Sequence, residues 1–212
     1  DAPDVFVWNR RRAVSAFPEI GIGNKPIDGG HYLFTPEEKV AFLAKEPGAE
    51  KFFKRWYGSQ EFIRGVERWV LWVGDASAAE LQALPLVVER IQAVRDYRAA
   101  STSAPTRKLA ATPTRFHVEN MPSGNSLLIP EVSSERRRYI PIGFLGPEAL
   151  ASNLVRLVPN ASLYHFGVLH SRAHNAWMRT VAGRLKSDYR YSGGVVYNNF
   201  VWPDTTENQQ AK

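Results

Sequence analysis

Ser133-Ser134-Glu135-Arg136-Arg137-Arg138 is the densest group of side chains in this sequence able to do chemistry. An arginine fork matches phosphate oxygens or the O6/N7 edge of guanine. A glutamate accepts from the cytosine amino group, and serine hydroxyls serve either edge. Glu135 is the informative member. A carboxylate is unfavourable on a surface that only holds phosphates, so it points to base reading or to the orientation of an arginine. Two further stretches are cationic. Arg95, Arg98, Arg107, Lys108 and Arg115 face one acid, Asp96; Arg172, Arg179, Arg184, Lys186 and Arg190 face Asp188. Any one of these arginines is better explained by solvated surface. Together, with arginine outnumbering lysine in all three regions, they suit a polyanion, the flanking regions holding backbone phosphates and the central one reading bases.

Other chemistries lack their residues. With no cysteine, no disulfide, thiolate zinc site or cysteine nucleophile is possible. Gly21-Ile22-Gly23 has two glycines of a nucleotide fingerprint without the third, and reads as a turn. There is no phosphate loop, no Gly-x-Ser-x-Gly elbow and no Asp/Asn-Pro-Pro-aromatic catalytic loop of amino-group DNA methyltransferases. His170 and His174 stand at metal-ligand spacing, but in His-Ser-Arg-Ala-His, where Arg172 would repel a cation; His165 falls on another face. Glu131 and Glu135 lie among arginines, which suits salt bridges or base contacts rather than an acid/base pair. No catalytic residue, no metal and no cofactor is therefore assigned to this chain.

The elements that would position these groups follow from pattern. Thr35-Pro36-Glu37-Glu38 opens a helix with a capping box, running to Glu46. A second short helix is expected over 49–56, a strand over 67–73 and a long helix over 84–100 with Val87, Ile91, Val94 and Arg98 in line. Strands are expected over 127–132 and 139–144, flanking the Glu135 turn, and over 153–158. A second long helix is expected over 163–181, on which His165, Arg172 and Arg179, spaced by sevens, share a face. A last strand is expected at 195–197. Strands and helices mix without strict alternation, which predicts an α+β fold of mixed strands with two long helices. The 212 residues, 44% hydrophobic and 23% charged, can bury a real core. A net charge of +6 and a pI near 9.6 favour an anionic partner. No apolar run approaches the ~20 residues of a membrane span. The chain opens at Asp1, and the apolar patch Val5, Phe6, Val7 and Trp8 followed by Arg10-Arg11-Arg12 reads as a fragment boundary.

Several stretches resemble the target recognition domain of MmeI-like restriction-modification enzymes and their methyltransferase relatives. They are Lys25 to Gly30, Tyr57 to Phe62, Ser133 to Phe144, and Gly183 to Pro203; the last is the longest and most specific. The resemblance implies a recognition domain over 25–203, preceded by a linker (1–24) from an upstream catalytic domain and followed by a polar tail (204–212). It implies an adenine-N6 DNA methyltransferase as the parent enzyme, in some relatives fused to an endonuclease. Its catalytic domain binds S-adenosylmethionine and flips the target adenine. The partners implied are double-stranded DNA and that upstream domain, in the cytoplasm of a bacterium or archaeon and associated with the nucleoid. In the family a glutamate and an arginine two positions apart help choose one base pair. Glu135 and Arg137 match; a slip of one among the consecutive arginines makes Arg136 and Arg138 candidates too, and the hydroxyl of Ser134 is a base-reading candidate beside them. Lys25, Arg107, Lys108, Arg115, Arg172, Arg179, Arg184 and Lys186 are the expected backbone contacts. Val201 departs from the family, which has proline there. Without the catalytic domain this chain should methylate nothing alone. Two other readings stay open: an interaction or structural domain using the six tryptophans, and a metal hydrolase using His165, His170 and His174.

Overall fold

The computed structural model describes residues 6–15 and 17–210. Val5 of the opening apolar patch and residues 211–212 of the polar tail lie outside that set. In chain order the strands are β1 (Gly21–Ile22), β2 (Leu33–Phe34), β3 (Phe53–Tyr57), β4 (Trp69–Leu71), β5 (Ser126–Pro130), β6 (Val132–Ser133), β7 (Gly143–Leu145), β8 (Ala149–Ala151), β9 (Val155–Pro159), β10 (Gly183–Leu185) and β11 (Asp188–Arg190). The α-helices are α1 (Pro36–Lys45), α2 (Ser59–Arg64), α3 (Ala78–Gln82), α4 (Pro85–Ala99), α5 (Ala104–Lys108), α6 (Leu163–Leu169), α7 (Arg172–Val181) and α8 (Glu207–Gln210). The fold is α+β, as expected. The chain forms two compact units. A helical unit holds Gly23–Met121 and Glu148–Asn153; a hairpin unit holds the described parts of Asp1–Ile22, Pro122–Pro147 and Leu154–Lys212.

In the helical unit a sheet runs β2-β4-β3-β8, antiparallel except where β8 joins β3 in parallel. The expected capping box starts α1: Thr35 Oγ1 accepts from the Glu38 N–H, and Glu38 accepts from the Thr35 N–H. The rings of Phe34, Phe42 and Phe53 meet edge to face beneath it. The start of α4 is capped from far away. The buried Glu46 carboxylate accepts from the Leu86 and Val87 N–H groups at 2.8 and 3.0 Å, supplying both an acceptor and a negative charge at a helix start. Residues 49–56 are a 3₁₀ turn (Pro47–Phe52) running into β3, not the expected helix. Pairing of β3 with two neighbours overrides the local pattern there.

The hairpin unit carries an antiparallel sheet, β1-β9-β5-β7, and a small one, β10-β11-β6. Every residue of β5 is buried. Gly21 and Ile22 are strand, paired with Leu157 and Arg156, not the expected turn. The expected strand over 139–144 shrinks to β7, and 195–197 belongs to a π-helical turn, Gly193–Tyr197, whose Val195 N–H is capped by Ser192 Oγ. The second long helix breaks in two. Ser171 takes an extended conformation and its Oγ accepts from the His174 N–H, so it starts α7 where a continuous helix would have passed. His165 therefore does not share a continuous helical face with Arg172 and Arg179.

His174 is fully buried in this core, with Nε2 at 3.0 Å from the Tyr191 hydroxyl, and burial holds its pKa at about 4. An unfolded histidine titrates near 6.5. Between those values the unfolded state binds the extra proton, so stability is full above about pH 6.5 and falls as pH drops towards 4, by about 3 kcal/mol in all. Urea unfolding from pH 7 to 4.5 should show that loss, and His174→Gln should flatten it.

Candidate nucleic-acid interface

The loop between β6 and β7 presents Glu135, Arg136, Arg137 and Arg138, all exposed, beside a half-buried Ser134. It is tightly held from beneath. A turn closes where the Arg137 N–H donates to the Ser134 carbonyl at 3.1 Å. From α7, the Arg179 guanidinium donates to the carbonyls of Arg137 and Arg138, and Asn175 Oδ1 accepts from the Ile140 N–H at 2.9 Å. Tyr139 stacks on His170 at 5.0 Å, and His170 on Phe166 at 5.3 Å. Hydrogen bonding by the Arg172 side chain, which outweighs the other influences, pulls the Tyr139 hydroxyl pKa down. Arg172, Asn175 and Arg179 fall three and four apart on one helix face, so α7 serves as a rack for the loop.

From the other side comes the β10–β11 hairpin. Arg184 lies 3.8 Å over the Tyr189 ring, donates to the Ser187 carbonyl at 2.7 Å and reaches Glu135 Oε2 at 3.3 Å. Both partners of that ion pair are nearly half exposed, 43% and 46%, so it contributes little to stability. Its effect is to aim the carboxylate. Register pairs Leu185 with Asp188, leaving Lys186 and Ser187 as a two-residue turn, with Lys186 exposed at φ 56°. Below the loop, Glu131 braces the unit through Arg156 at 3.2 Å and Arg190 at 2.7 Å. It is the salt-bridged carboxylate that its surroundings suggested.

The remaining predicted residues lie in the helical unit. Lys25, Arg107 and Lys108 are exposed. Arg107 is tied back to the carbonyls of Ser101 and Thr102. Arg115 is neutralised by Glu119 and by Asp75 at 3.5 Å. Arg98 is not surface at all: it is 0% exposed and serves the interior. The cationic stretch from 95 to 115 is thus weaker as a surface field than its composition implies. The structure brings Ser134 to Arg138, Arg172, Arg179, Arg184 and Lys186 together in one unit. Sequence reasoning missed Asn175, Tyr189 and Arg156; the helical period of Arg172, Asn175 and Arg179 was a signal for the first.

The three histidines are engaged separately. His165 Nδ1 accepts from the Ser162 N–H at 3.0 Å, His170 lies in the ring stack and His174 in the core. Among the described residues no group of three or more His, Cys, Asp or Glu side chains is placed to hold a metal ion. No helix among them is long and apolar enough to cross a membrane.

The family model described as "MmeI, target recognition domain" matches residues 1–204. A curated relative, DNA methyltransferase A of Bacillus subtilis (strain 168), is 40% identical over 210 residues, which is 99% of this chain and 24% of the relative. A solved structure of the type IIL restriction-modification enzyme MmeI in complex with DNA superposes with a TM-score of 0.95 at 45% identity, covering 100% of this chain and 28% of that one. The chain thus spans about a quarter of the length of the proteins it matches. With a family model covering almost all of its length, the chain belongs to the MmeI target recognition domain family.

Proposed function

We propose that this chain reads the sequence of duplex DNA as the recognition module of a larger adenine-N6 methyltransferase or restriction-modification enzyme, choosing where a separate catalytic domain acts. One observation carries the reading: a loop offering a carboxylate and three exposed arginines is held by its own backbone carbonyls, which leaves the side-chain tips of Glu135 and Arg136 to Arg138 facing outward. Glu135 and Arg137 read one base pair, with Ser134, Arg136 and Arg138 beside them. Arg172, Arg184 and Lys186, on the same unit, hold phosphates beside them; on the helical unit Lys25, Arg107, Lys108 and Arg115 are the backbone contacts. Arg179 acts through the loop it grips. The likeness to an enzyme solved with DNA supports this.

Residues 25–203 would form the reading module, 204–212 a polar tail, and 1–24 a link to an upstream catalytic domain. That domain would bind S-adenosylmethionine, which supplies the methyl group. Residues of this chain do not fit the cofactor. The Gly21–Gly23 pair ends β1 with no helix before Pro36, and the polar cleft beside Arg156 has no carboxylate to hold a ribose. The setting would be the bacterial or archaeal cytoplasm, at the nucleoid.

Fluorescence anisotropy with duplex DNA tests the reading: binding should weaken steeply with salt, and absence of binding by the full-length protein at low salt would contradict it. Lys186 sharpens the test. A non-glycine residue in the left-handed region costs roughly 1–2 kcal/mol, yet a cation is kept at this exposed tip. Lys186→Gly is expected to leave stability unchanged or raise it by up to about 1 kcal/mol, while DNA affinity drops several-fold for all sequences and the salt slope becomes shallower by about one.

A further inference from the structure

The Arg10-Arg11-Arg12 run, which reads in the sequence only as a boundary, is built into the hairpin unit. The Arg10 N–H donates to the Gly194 carbonyl at 2.8 Å, Asn198 Nδ2 to the Arg10 carbonyl at 2.8 Å, and the Val14 N–H to the Asn198 carbonyl at 2.9 Å. Asn199 Nδ2 holds the Trp8 carbonyl, and its Oδ1 accepts from Arg10 Nε, both at 2.8 Å. The approach is close: a Cβ at Gly194 would sit 1.8 Å from Asn9 Oδ1 and 3.1 Å from the Arg10 carbonyl oxygen, so a larger residue would push the Asn9 side chain aside. This docking shapes a cleft of about 400 Å³ against β1 and β9. Arg10, Arg11 and Arg156 all line it, with Asn9, Ser192 and Asn198, and no carboxylate does.

Three guanidinium groups around one cleft repel each other unless an anion sits among them. Arg156 adds a second observation. Its Nη2 is taken by Glu131, but its Nε is buried and has no hydrogen-bond partner among the described residues. A buried charged donor left without an acceptor is a defect that a ligand oxygen would remove. Arg11 has no ion-pair partner among the described residues and is exposed at the mouth. An open, mostly polar cleft, with planar forks and only Ile20 and Ile22 as bulky apolar lining, suits tetrahedral phosphate oxygens rather than an aromatic or acyl group.

We propose that this cleft seats one phosphodiester of the DNA backbone, Arg11 closing over it while Arg10 and Arg156 line the floor. The proposal rests on the DNA-reading function above. It would set the register of the hairpin unit on the duplex, because a phosphate contact fixes position without reading sequence.

The test compares full-length protein carrying Arg11→Ala or Arg11→Glu with wild type, by salt-dependent anisotropy and by ethylation interference, which caps one phosphate at a time. Arg11→Ala should melt like wild type and lose about eightfold in affinity at 0.1 M salt, equally for all sequences, with the salt slope shallower by about one. Arg11→Glu should lose more. One phosphate whose ethylation weakens wild-type binding should become silent in the variants. Wild-type affinity, slope and interference pattern in both variants would overturn the cleft and leave the DNA-reading function standing. Failure of the wild-type protein to bind duplex DNA at low salt would overturn both.

Discussion

Arg98→Leu is expected to destabilise the protein by about 4 kcal/mol or more, the largest loss from any single substitution considered. The side chain is fully buried on α4, and its guanidinium donates to five backbone carbonyls: Pro26, Ile27, Leu109, Thr112 and Arg115, at 2.8–3.0 Å. The Leu109 and Thr112 carbonyls also accept from the Thr112 and Arg115 N–H groups, whereas those of Pro26, Ile27 and Arg115 lie in irregular segments outside any helix or strand. Removing the fork strands several buried acceptors at once. Burial drives the Arg98 pKa down, while the Tyr32 and Asp28 side chains draw it back up. Arg98→Lys keeps a charge but loses the planar fork, so it should fall between Leu and wild type. Urea unfolding measures both. A midpoint for Arg98→Leu within about 1 kcal/mol of wild type would refute the account of this core.

Arg98 also shows how much of the fold the sequence carried. Its place on the stripe with Val87, Ile91 and Val94 is plain from spacing, and α1, α4 and β4 follow from local pattern. What it binds is not legible, because the carbonyls come from residues up to 72 positions away. The same holds for Glu46, a cap supplied across about 40 residues. Phe52, Phe53 and Trp56 fit a helical face as well as a strand, and only the parallel partner β8, nearly a hundred residues later, decides. The break at Ser171 depends on one serine choosing to cap rather than continue, inside a stretch whose apolar spacing runs through it.

Glu135→Ala and Arg137→Ala should each cost about 1–3 kcal/mol of discrimination at one base pair, roughly 5- to 150-fold, with stability almost unchanged. Both residues are exposed, and the turn beneath them is held by Arg179 and Asn175 through backbone atoms that the substitutions leave in place. Arg184→Ala should give a smaller change of the same kind, because it removes the partner that aims the Glu135 carboxylate rather than the carboxylate itself. The candidate site was visible in the sequence as a composition, an acid among arginines on a turn. Its support was not, because the rack on α7 and the Tyr189 platform for Arg184 come from segments 40 to 50 residues further on. Arg179, expected to contact the DNA backbone, has one guanidinium nitrogen engaged by the Arg137 and Arg138 carbonyls, which favours a positioning role.

Base-resolved mapping of N6-methyladenine in cells making the full-length protein would show whether the Glu135–Arg137 turn chooses the methylated site. With Glu135 and Arg137 substituted singly and together, methylation is expected at a site altered or relaxed at one position, the other positions being kept. Methylation at the unchanged wild-type site, at wild-type levels in all three variants, would contradict it.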